Sequence, residues 1–268
     1  MAIFYDTHAH LDYPDYAPDL EAVIERAASS GVSKIIAIGT DLESSARAVK
    51  LSERFPNVYS AVGWHPCHAS EAPEDLRPAL RELARHPKVV GLGETGLDYY
   101  RLPSAQGGTP ADDQRYRQKQ SALFQQHLEV ASELKLNCVV HQRDAFEEVL
   151  AAMALFADSV RGVFHCFAGS PADMERVVVM GSLVSFTGII TFKNAQSVRD
   201  TVAATPLDRF MLETDCPFLA PVPYRGKRCE PAYVKEIAAV AAQMKGCSAD
   251  ELSRVTCATA HQFFPKLS

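Results

Sequence analysis

The sequence has no long hydrophobic stretch, no excess of positive charge and no regular pattern of cysteines. No apolar run in its 268 residues approaches the roughly 20 that span a bilayer. The N-terminus carries no basic segment followed by an apolar one, so we expect no secretory signal. The seven cysteines are scattered, odd in number and form no C-x-x-C, which favours free thiols over a disulfide framework. We therefore expect a cytoplasmic protein without membrane contact.

The formal net charge of -6 argues against a general nucleic-acid coat protein, because phosphate affinity comes largely from Lys and Arg. It does not exclude a nuclease. Bound divalent metal ions and a few well-placed cations can hold one phosphate locally.

Several common catalytic motifs are also missing, namely G-x-x-x-x-G-K, H-E-x-x-H and G-x-S-x-G. Segment 91–96 does match G-x-G-x-x-G. In a dinucleotide site, however, the third glycine leads into a helix. Here a proline and a glycine-rich loop follow, and Glu94 would meet the phosphates. We expect no nucleotide cofactor.

Short β-branched runs alternate with helical patterns along the whole chain. The predicted strands are 3–5, 34–38, 58–62, 89–92, 138–141, 162–167, 183–187 and 210–213. The predicted helices are 19–28, 42–54, 73–85, 112–134, 145–156, 171–180, 195–204 and 233–244, with helical segments 249–257 and 258–264 closing the chain. A polar loop is predicted at 102–111. Eight β-then-α units predict an α/β fold, a TIM-type (β/α)8 barrel that forms a single domain over residues 1–268. A doubly wound open sheet is the alternative.

Polar residues with metal-binding side chains follow several of these strands. His8 and His10 end the first strand, and residues two apart in a strand share a face. Further candidates follow strands four, five, six and eight: Glu94, His141, His165 and Asp215. Barrel active sites are built at the C-terminal ends of the strands. One such residue alone would be an ordinary polar group, whereas six in register predict a metal centre.

The candidate ligands suit two divalent ions better than one. Six nitrogen and oxygen ligands exceed what a single catalytic zinc needs beside its water. A carboxylate such as Glu94 can bridge two cations. Imidazole mixed with carboxylate fits Zn, Mn, Co or Fe(II), and Mg less naturally.

Six segments together resemble the motif set of the TatD family of metal-dependent deoxyribonucleases. They are Asp-Thr-His-Ala-His at 6–10, Gly-Trp-His-Pro at 63–66, Gly-Glu-Thr-Gly-Leu-Asp-Tyr at 93–99, His-Cys-Phe-Ala-Gly at 165–169, Glu-Thr-Asp-Cys-Pro at 213–217 and Arg-Gly-Lys-Arg-Cys-Glu-Pro at 225–231. The resemblance spans nearly the whole chain, in order. It implies a TIM-barrel branch of the amidohydrolase superfamily.

The resemblance also implies how the ligands divide. His8, His10, Glu94 and Asp215 would surround one metal ion, and Glu94, His141 and His165 the second. It further implies hydrolysis of DNA phosphodiester bonds by a metal-activated water, often as a 3′-to-5′ exonuclease on single strands. An amidohydrolase acting on a small ester, lactone or amide remains an alternative, because one fold and centre can serve several reactions. A non-catalytic metal-binding module is a third. The oligomeric state stays open.

Individual roles follow as hypotheses. Asp215 would accept the proton of the attacking water, and His65 would donate one to the leaving oxygen or orient a ligand. Three cationic side chains are candidates for stabilising the negative charge of the phosphate: Arg143, Arg225 and Lys227. The alternative is that they belong to solvated basic loops without a role in catalysis. Asp6 would orient a ligand. Cys229 stands where the family usually has Asn, which weakens any hydrogen-bonding role there.

Overall fold

Eight parallel strands form one sheet whose order follows the chain, with helices between them. The structure, a computed structural model, describes residues 2–268. The strands are β1 Phe4–Ala9, β2 Val32–Ile38, β3 Val58–Val62, β4 Val89–Asp98, β5 Asn137–Arg143, β6 Gly162–Phe164, β7 Leu183–Phe186 and β8 Phe210–Leu212. The helices are α1 Leu20–Ser29, α2 Leu42–Arg54, α3 Arg77–Ala84, α4 Pro110–Leu134, α5 Phe146–Ala154, α6 Pro171–Val179, α7 Gln196–Ala204, α8 Val234–Lys245 and α9 Ala249–Phe263.

The sheet curls until its two ends meet beyond the end of β8. Ala9 pairs with Cys216, and the Asp215 N–H donates to the His8 carbonyl over 2.9 Å. The His10 N–H donates to the Cys216 carbonyl over 2.8 Å. The predicted TIM-type barrel in a single domain is confirmed, and the open-sheet alternative is wrong.

Several predicted element boundaries are wrong. β1 runs to Ala9 rather than 5 and β4 to Asp98 rather than 92, because polar residues and glycines interrupt the apolar pattern although both strands continue. β6 ends at Phe164 rather than 167. The helix predicted at 73–85 is shorter, Arg77–Ala84, because the Leu76 N–H is bound by Gln126 of α4 over 2.6 Å. The two closing segments are one helix, α9.

The first turns of several helices carry side chains that fix where the helix begins. Thr109 accepts a hydrogen bond from the Asp112 N–H, and Pro110 occupies the first helical position of α4. Asp41 and Ser170 cap α2 and α6 in the same way. In these three helices a capping side chain therefore marks the residue at which the helix begins.

The interior of the barrel is packed with apolar side chains, including Ile36, Val139 and Met211. Phe263 and Phe264, at the end of α9, pack against the same cluster. Residues at the other end of the strands are polar and are described below. Within residues 2–268, no helix is long and apolar enough to cross a membrane.

Candidate metal centre

Four of the predicted ligands converge at the barrel mouth on one point. Nε2 of His8 lies 3.2 Å from Nε2 of His10. Oε2 of Glu94 lies 3.4 Å from His8 Nε2 and 3.6 Å from His10 Nε2. Oδ1 of Asp215 lies 3.6 Å and 3.4 Å from the same two nitrogens. Both imidazoles and Glu94 are buried.

A second group converges on the other oxygen of the same carboxylate. Oε1 of Glu94 lies 3.0 Å from Nδ1 of His141 and 2.8 Å from Nε2 of His165. Those two nitrogens are 3.1 Å apart. Nε2 of His65 joins them, 3.2 Å from Glu94 Oε1 and 3.3 Å from His141 Nδ1. Glu94 thus stands between two clusters with one oxygen toward each.

These separations suit divalent cations. Ligand atoms bound tetrahedrally to zinc at 2.0–2.1 Å lie about 3.3 Å from each other, and both clusters have this spacing. Groups of histidine and carboxylate atoms that could hold a metal ion include His8 with His10 and Glu94, and His65 with Glu94 and His141. A carboxylate with one oxygen in each cluster has the arrangement of a bridging ligand.

The outer nitrogens of the imidazoles show which atom is free to bind metal. Nε2 of His141 lies 3.1 Å from Oδ2 of Asp98, so it carries the proton and leaves Nδ1 as the lone pair. Nδ1 of His165 faces Glu213 Oε1 at 3.6 Å. Nδ1 of His8 and of His10 is buried without a hydrogen-bond partner among residues 2–268. In His141 and His165 a carboxylate at the outer nitrogen therefore favours an unprotonated inward nitrogen, whereas no hydrogen bond sets the tautomer of His8 or His10.

His65 differs from these four. Its Nδ1 accepts a hydrogen bond from the Cys67 N–H over 3.0 Å. A neutral imidazole has one lone pair and one N–H, so the proton of His65 is on Nε2, which faces the centre. His65 therefore presents a donor to the second cluster rather than a free lone pair.

Close packing of β4 against β5 places Glu94 beside His141. Gly93 and Gly96 have φ of +146° and +132°, a backbone conformation that residues other than glycine rarely adopt. A Cβ on Gly96 would lie 2.1 Å from the His141 carbonyl oxygen. These glycines lie inside a strand, and the next α-helix begins only at Pro110. Their role here is close strand contact, and the segment lacks the strand-to-helix turn of a dinucleotide site.

Asp215 is positioned by the strand-like segment around it. Its backbone has φ of +56°, a conformation that is uncommon for residues other than glycine. The carboxylate of Asp6 accepts from the Thr214 N–H over 2.9 Å and from its hydroxyl over 2.6 Å. Asp6 also accepts from the His8 N–H over 3.3 Å. It therefore contacts the backbone of both neighbouring ligand segments, and no imidazole of the described chain lies in hydrogen-bond range of it.

The two central carboxyl groups are ionised. Burial alone would raise the pKa of Glu94, but the surrounding imidazoles, led by His165 and His65, hold it well below its usual range. Burial likewise opposes ionisation of Asp215, and its hydrogen bond with His10 outweighs this and lowers the pKa. Two buried negative charges in one pocket favour a bound cation.

A cavity of about 350 Å³ lies over this centre, and we call it the metal cavity. Arg143 lines it, with the guanidinium carbon 3.4 Å from the centroid of the Tyr100 ring. Arg225 and Lys227 do not line it. Arg225 instead lies over Phe192 at 3.8 Å, and Lys227 is exposed. The structure therefore brings one of the three predicted cations to the centre.

Two carboxylates that the sequence did not point out support the centre from outside. Asp98 accepts from His141 and Glu213 faces His165. Glu213 is itself held by the Ser185 hydroxyl over 2.7 Å and the Cys166 N–H over 2.7 Å. The sequence spacing could have indicated both residues. Asp98 lies four residues after Glu94 in the same strand, and Glu213 lies two residues before Asp215. Residues an even number apart in an extended segment share a face.

The chain matches the family model described as "TatD related DNase" over residues 5–265. It is 39% identical to the uncharacterized metal-dependent hydrolase YabD of Bacillus subtilis, covering 98% of this chain and 99% of that protein. It is 32% identical to the 3′-5′ ssDNA/RNA exonuclease TatD of Salmonella typhimurium, covering 97% and 98%. The solved structure of YjjV, a TatD homologue from Escherichia coli, superposes with a TM-score of 0.88 at 30% identity, covering 98% of both chains.

Fold and relatives define a class, the metal-dependent hydrolases built on a TIM-type barrel. Within that class, the chain belongs to the TatD family.

Proposed function

We propose that the protein is a deoxyribonuclease that hydrolyses phosphodiester bonds of single-stranded DNA from the 3′ end, with two divalent metal ions. The observation that carries the proposal is the shared carboxylate, Glu94, with Oε2 in one cluster of ligand atoms and Oε1 in the other. The nucleic-acid substrate is supported by the name of the Salmonella relative, which is 32% identical over nearly its whole length.

The first ion would be held by His8, His10, Glu94 and Asp215, and the second by Glu94, His141 and His165. Divalent ions so held lower the pKa of water and neutralise charge on a phosphate. Zn, Mn or Mg would each bring that chemistry, with the imidazole-rich ligand set favouring Zn or Mn.

Three side chains would act on the substrate directly. The Asp215 carboxylate is ionised and its side chain keeps 14% of its surface exposed to the cavity, so it can accept the proton of the attacking water. His65 presents an N–H toward the centre and would donate a hydrogen bond to the leaving oxygen, stabilising the negative charge that develops there. Arg143 would stabilise the negative charge on the phosphate from the cavity wall.

Arg225 and Lys227 would act further along the nucleic acid. Both are exposed on the loop after β8. Phosphates outside the reacting one would meet them there, so their contribution should depend on salt concentration.

The test is degradation of a 5′-fluorescein-labelled single-stranded oligodeoxynucleotide. We expect a 3′-to-5′ ladder that EDTA and His8→Ala abolish and that a 3′-terminal phosphorothioate linkage slows. His86→Ala is the matched control, because His86 is only partly buried and lies before β4, at the opposite end of the barrel. RNA and duplex DNA of the same sequence define the substrate range. Hydrolysis of lactones or amides with no cleavage of any oligonucleotide would overturn the proposal.

A further inference from the structure

A second cavity, of about 390 Å³, lies between the segments that follow β5 and β6, and we call it the side cavity. Its volume is within the range of small-molecule binding sites. It holds no residue of the first ligand cluster. Among the candidate ligands it shares only His165 with the second cluster.

The side cavity adjoins the metal cavity. Arg143 and His165 line both. His165 has its Nε2 at the shared carboxylate Glu94. The Arg143 guanidinium, stacked on Tyr100, has no carboxylate of residues 2–268 within salt-bridge distance. Arg143 is therefore a cation without a carboxylate partner at the boundary between the two cavities, beside the metal centre where a phosphate would be cleaved.

The walls of the side cavity are chemically divided. Three aromatic rings line it, of which Phe164 and Phe167 are buried and Phe146 is half-buried. Phe146 and Phe164 pack edge to face with centroids 6.4 Å apart. At the open side are Asp144 and Ala168, both exposed. Of the three rings, Phe146 is the one with surface left for a ligand. That ring and the single carboxylate of the lining, Asp144, fit a flat, partly apolar group that carries N–H or O–H donors.

The charges that line the side cavity would orient a bound ligand. The Asp144 carboxylate repels phosphate and accepts hydrogen bonds, whereas Arg143 beside it attracts phosphate. A ligand that spans both cavities would therefore lie with its phosphate at Arg143 and its uncharged part beside Asp144.

The backbone on both sides of the side cavity is held in an unusual conformation. Asp144 and Cys166 have φ of +54° and +49°. Residues other than glycine in this conformation are uncommon and cluster at ligand sites. Cys166 is kept in place by its N–H bond to Glu213.

We propose that the side cavity binds the nucleoside next to the phosphate being cleaved, with the base against the half-buried Phe146 ring and its donors at Asp144. This inference rests on the proposed nuclease function and adds a specific subsite to it. It makes recognition of a polymer depend on residues outside the metal centre.

The test compares two substrates. One is the single-stranded oligonucleotide, which has a nucleoside to place in the side cavity. The other is bis(4-nitrophenyl) phosphate, a small diester without one. Ala168→Met fills the cavity without removing any hydrogen-bonding side chain, and Asp144→Asn keeps a residue type that tolerates positive φ while removing the charge. Ala151→Met, on the exposed face of α5 and outside the cavity lining, is the matched control.

We expect Ala168→Met to lower kcat/KM on the oligonucleotide by about tenfold or more, the scale of one lost base-stacking contact, and to leave hydrolysis of the small diester within about twofold. Asp144→Asn should change the relative kcat/KM values of oligonucleotides that differ in their terminal base. Ala151→Met should match the unaltered protein on both substrates. Undiminished oligonucleotide cleavage by Ala168→Met, or an equal loss on both substrates, would overturn the subsite. If the unaltered protein cleaves no oligonucleotide, the nuclease proposal itself fails.

Discussion

The backbone N–H of Cys67 donates to Nδ1 of His65 over 3.0 Å. This bond fixes the tautomer, because the acceptor nitrogen cannot also carry the ring proton. Nε2 of His65, 3.2 Å from Glu94, is therefore an N–H donor. Distances alone would place His65 among the metal ligands. The hydrogen bond from the Cys67 N–H instead makes His65 a donor toward the centre.

His65→Ala should therefore lower kcat without lowering metal content. Loss of a hydrogen-bond donor aimed at charge that develops in the transition state costs about a hundredfold or more. Metal analysis of the purified variant alongside oligonucleotide kinetics measures both quantities. A variant that loses one ion per chain would show that His65 is a ligand after all.

Asp98→Asn should weaken binding of the second ion. The carboxylate orients His141 by accepting from its Nε2, and loss of such an outer partner commonly costs about 10–100-fold in metal affinity. Although burial opposes ionisation, the His141 hydrogen bond helps lower the pKa of Asp98 to about 2, so Asn removes a charge at neutral pH.

The measurement is a metal titration of Asp98→Asn by calorimetry. Asp208→Asn is its control, because Asp208 is exposed and precedes β8 at the far end of the barrel. Unchanged affinity for both ions in Asp98→Asn would refute the orienting role.

A buried histidine away from the centre should make stability depend on pH. Nε2 of His127 accepts from the Trp64 N–H over 3.0 Å, and Nδ1 donates to the Leu123 carbonyl over 2.7 Å. Burial lowers the pKa of His127 from 6.5 to about 4. Between these values the unfolded chain binds a proton that the folded chain does not. The free energy of unfolding must fall as the pH falls through this window, by about 3 kcal/mol in total.

His127→Gln removes this titration. Urea unfolding of both proteins in EDTA, from pH 7.5 to pH 4, should show a shallower loss of stability in the variant. His86→Gln, at a partly buried histidine near Glu53, should keep the slope of the unaltered protein. Equal slopes for His127→Gln and the unaltered protein would contradict the assignment.

Local patterns predicted the barrel, because strands and helices alternate along the chain. Active sites of such barrels lie at the C-terminal ends of the strands, so His8, Glu94 and Asp215 could be expected near each other without coordinates. Their division between two ions came from the resemblance to the TatD family. Contacts that depend on tertiary approach were out of reach. The Asp98–His141 bond joins residues 43 positions apart, and the Arg143–Tyr100 stack depends on the register that pairs the end of β5 with the end of β4.

Arg225 and Lys227 belong to a motif of the family, and neither lines the metal cavity; their contact with phosphate stays a prediction. A motif fixes residue order, whereas the path of the loop decides which side chain reaches the centre. The side cavity likewise arises from two segments that meet only in the folded barrel.

The central claim is that Glu94 joins two metal ions in one hydrolytic centre. The most direct test is to strip the protein with chelator, add Mn²⁺ or Zn²⁺ stepwise, and follow bound metal and single-stranded DNA hydrolysis in the same samples. We expect activity to reach its maximum only when two ions are bound per chain. Glu94→Gln should retain fewer ions and show no activity. Full activity with one ion or none bound would contradict it.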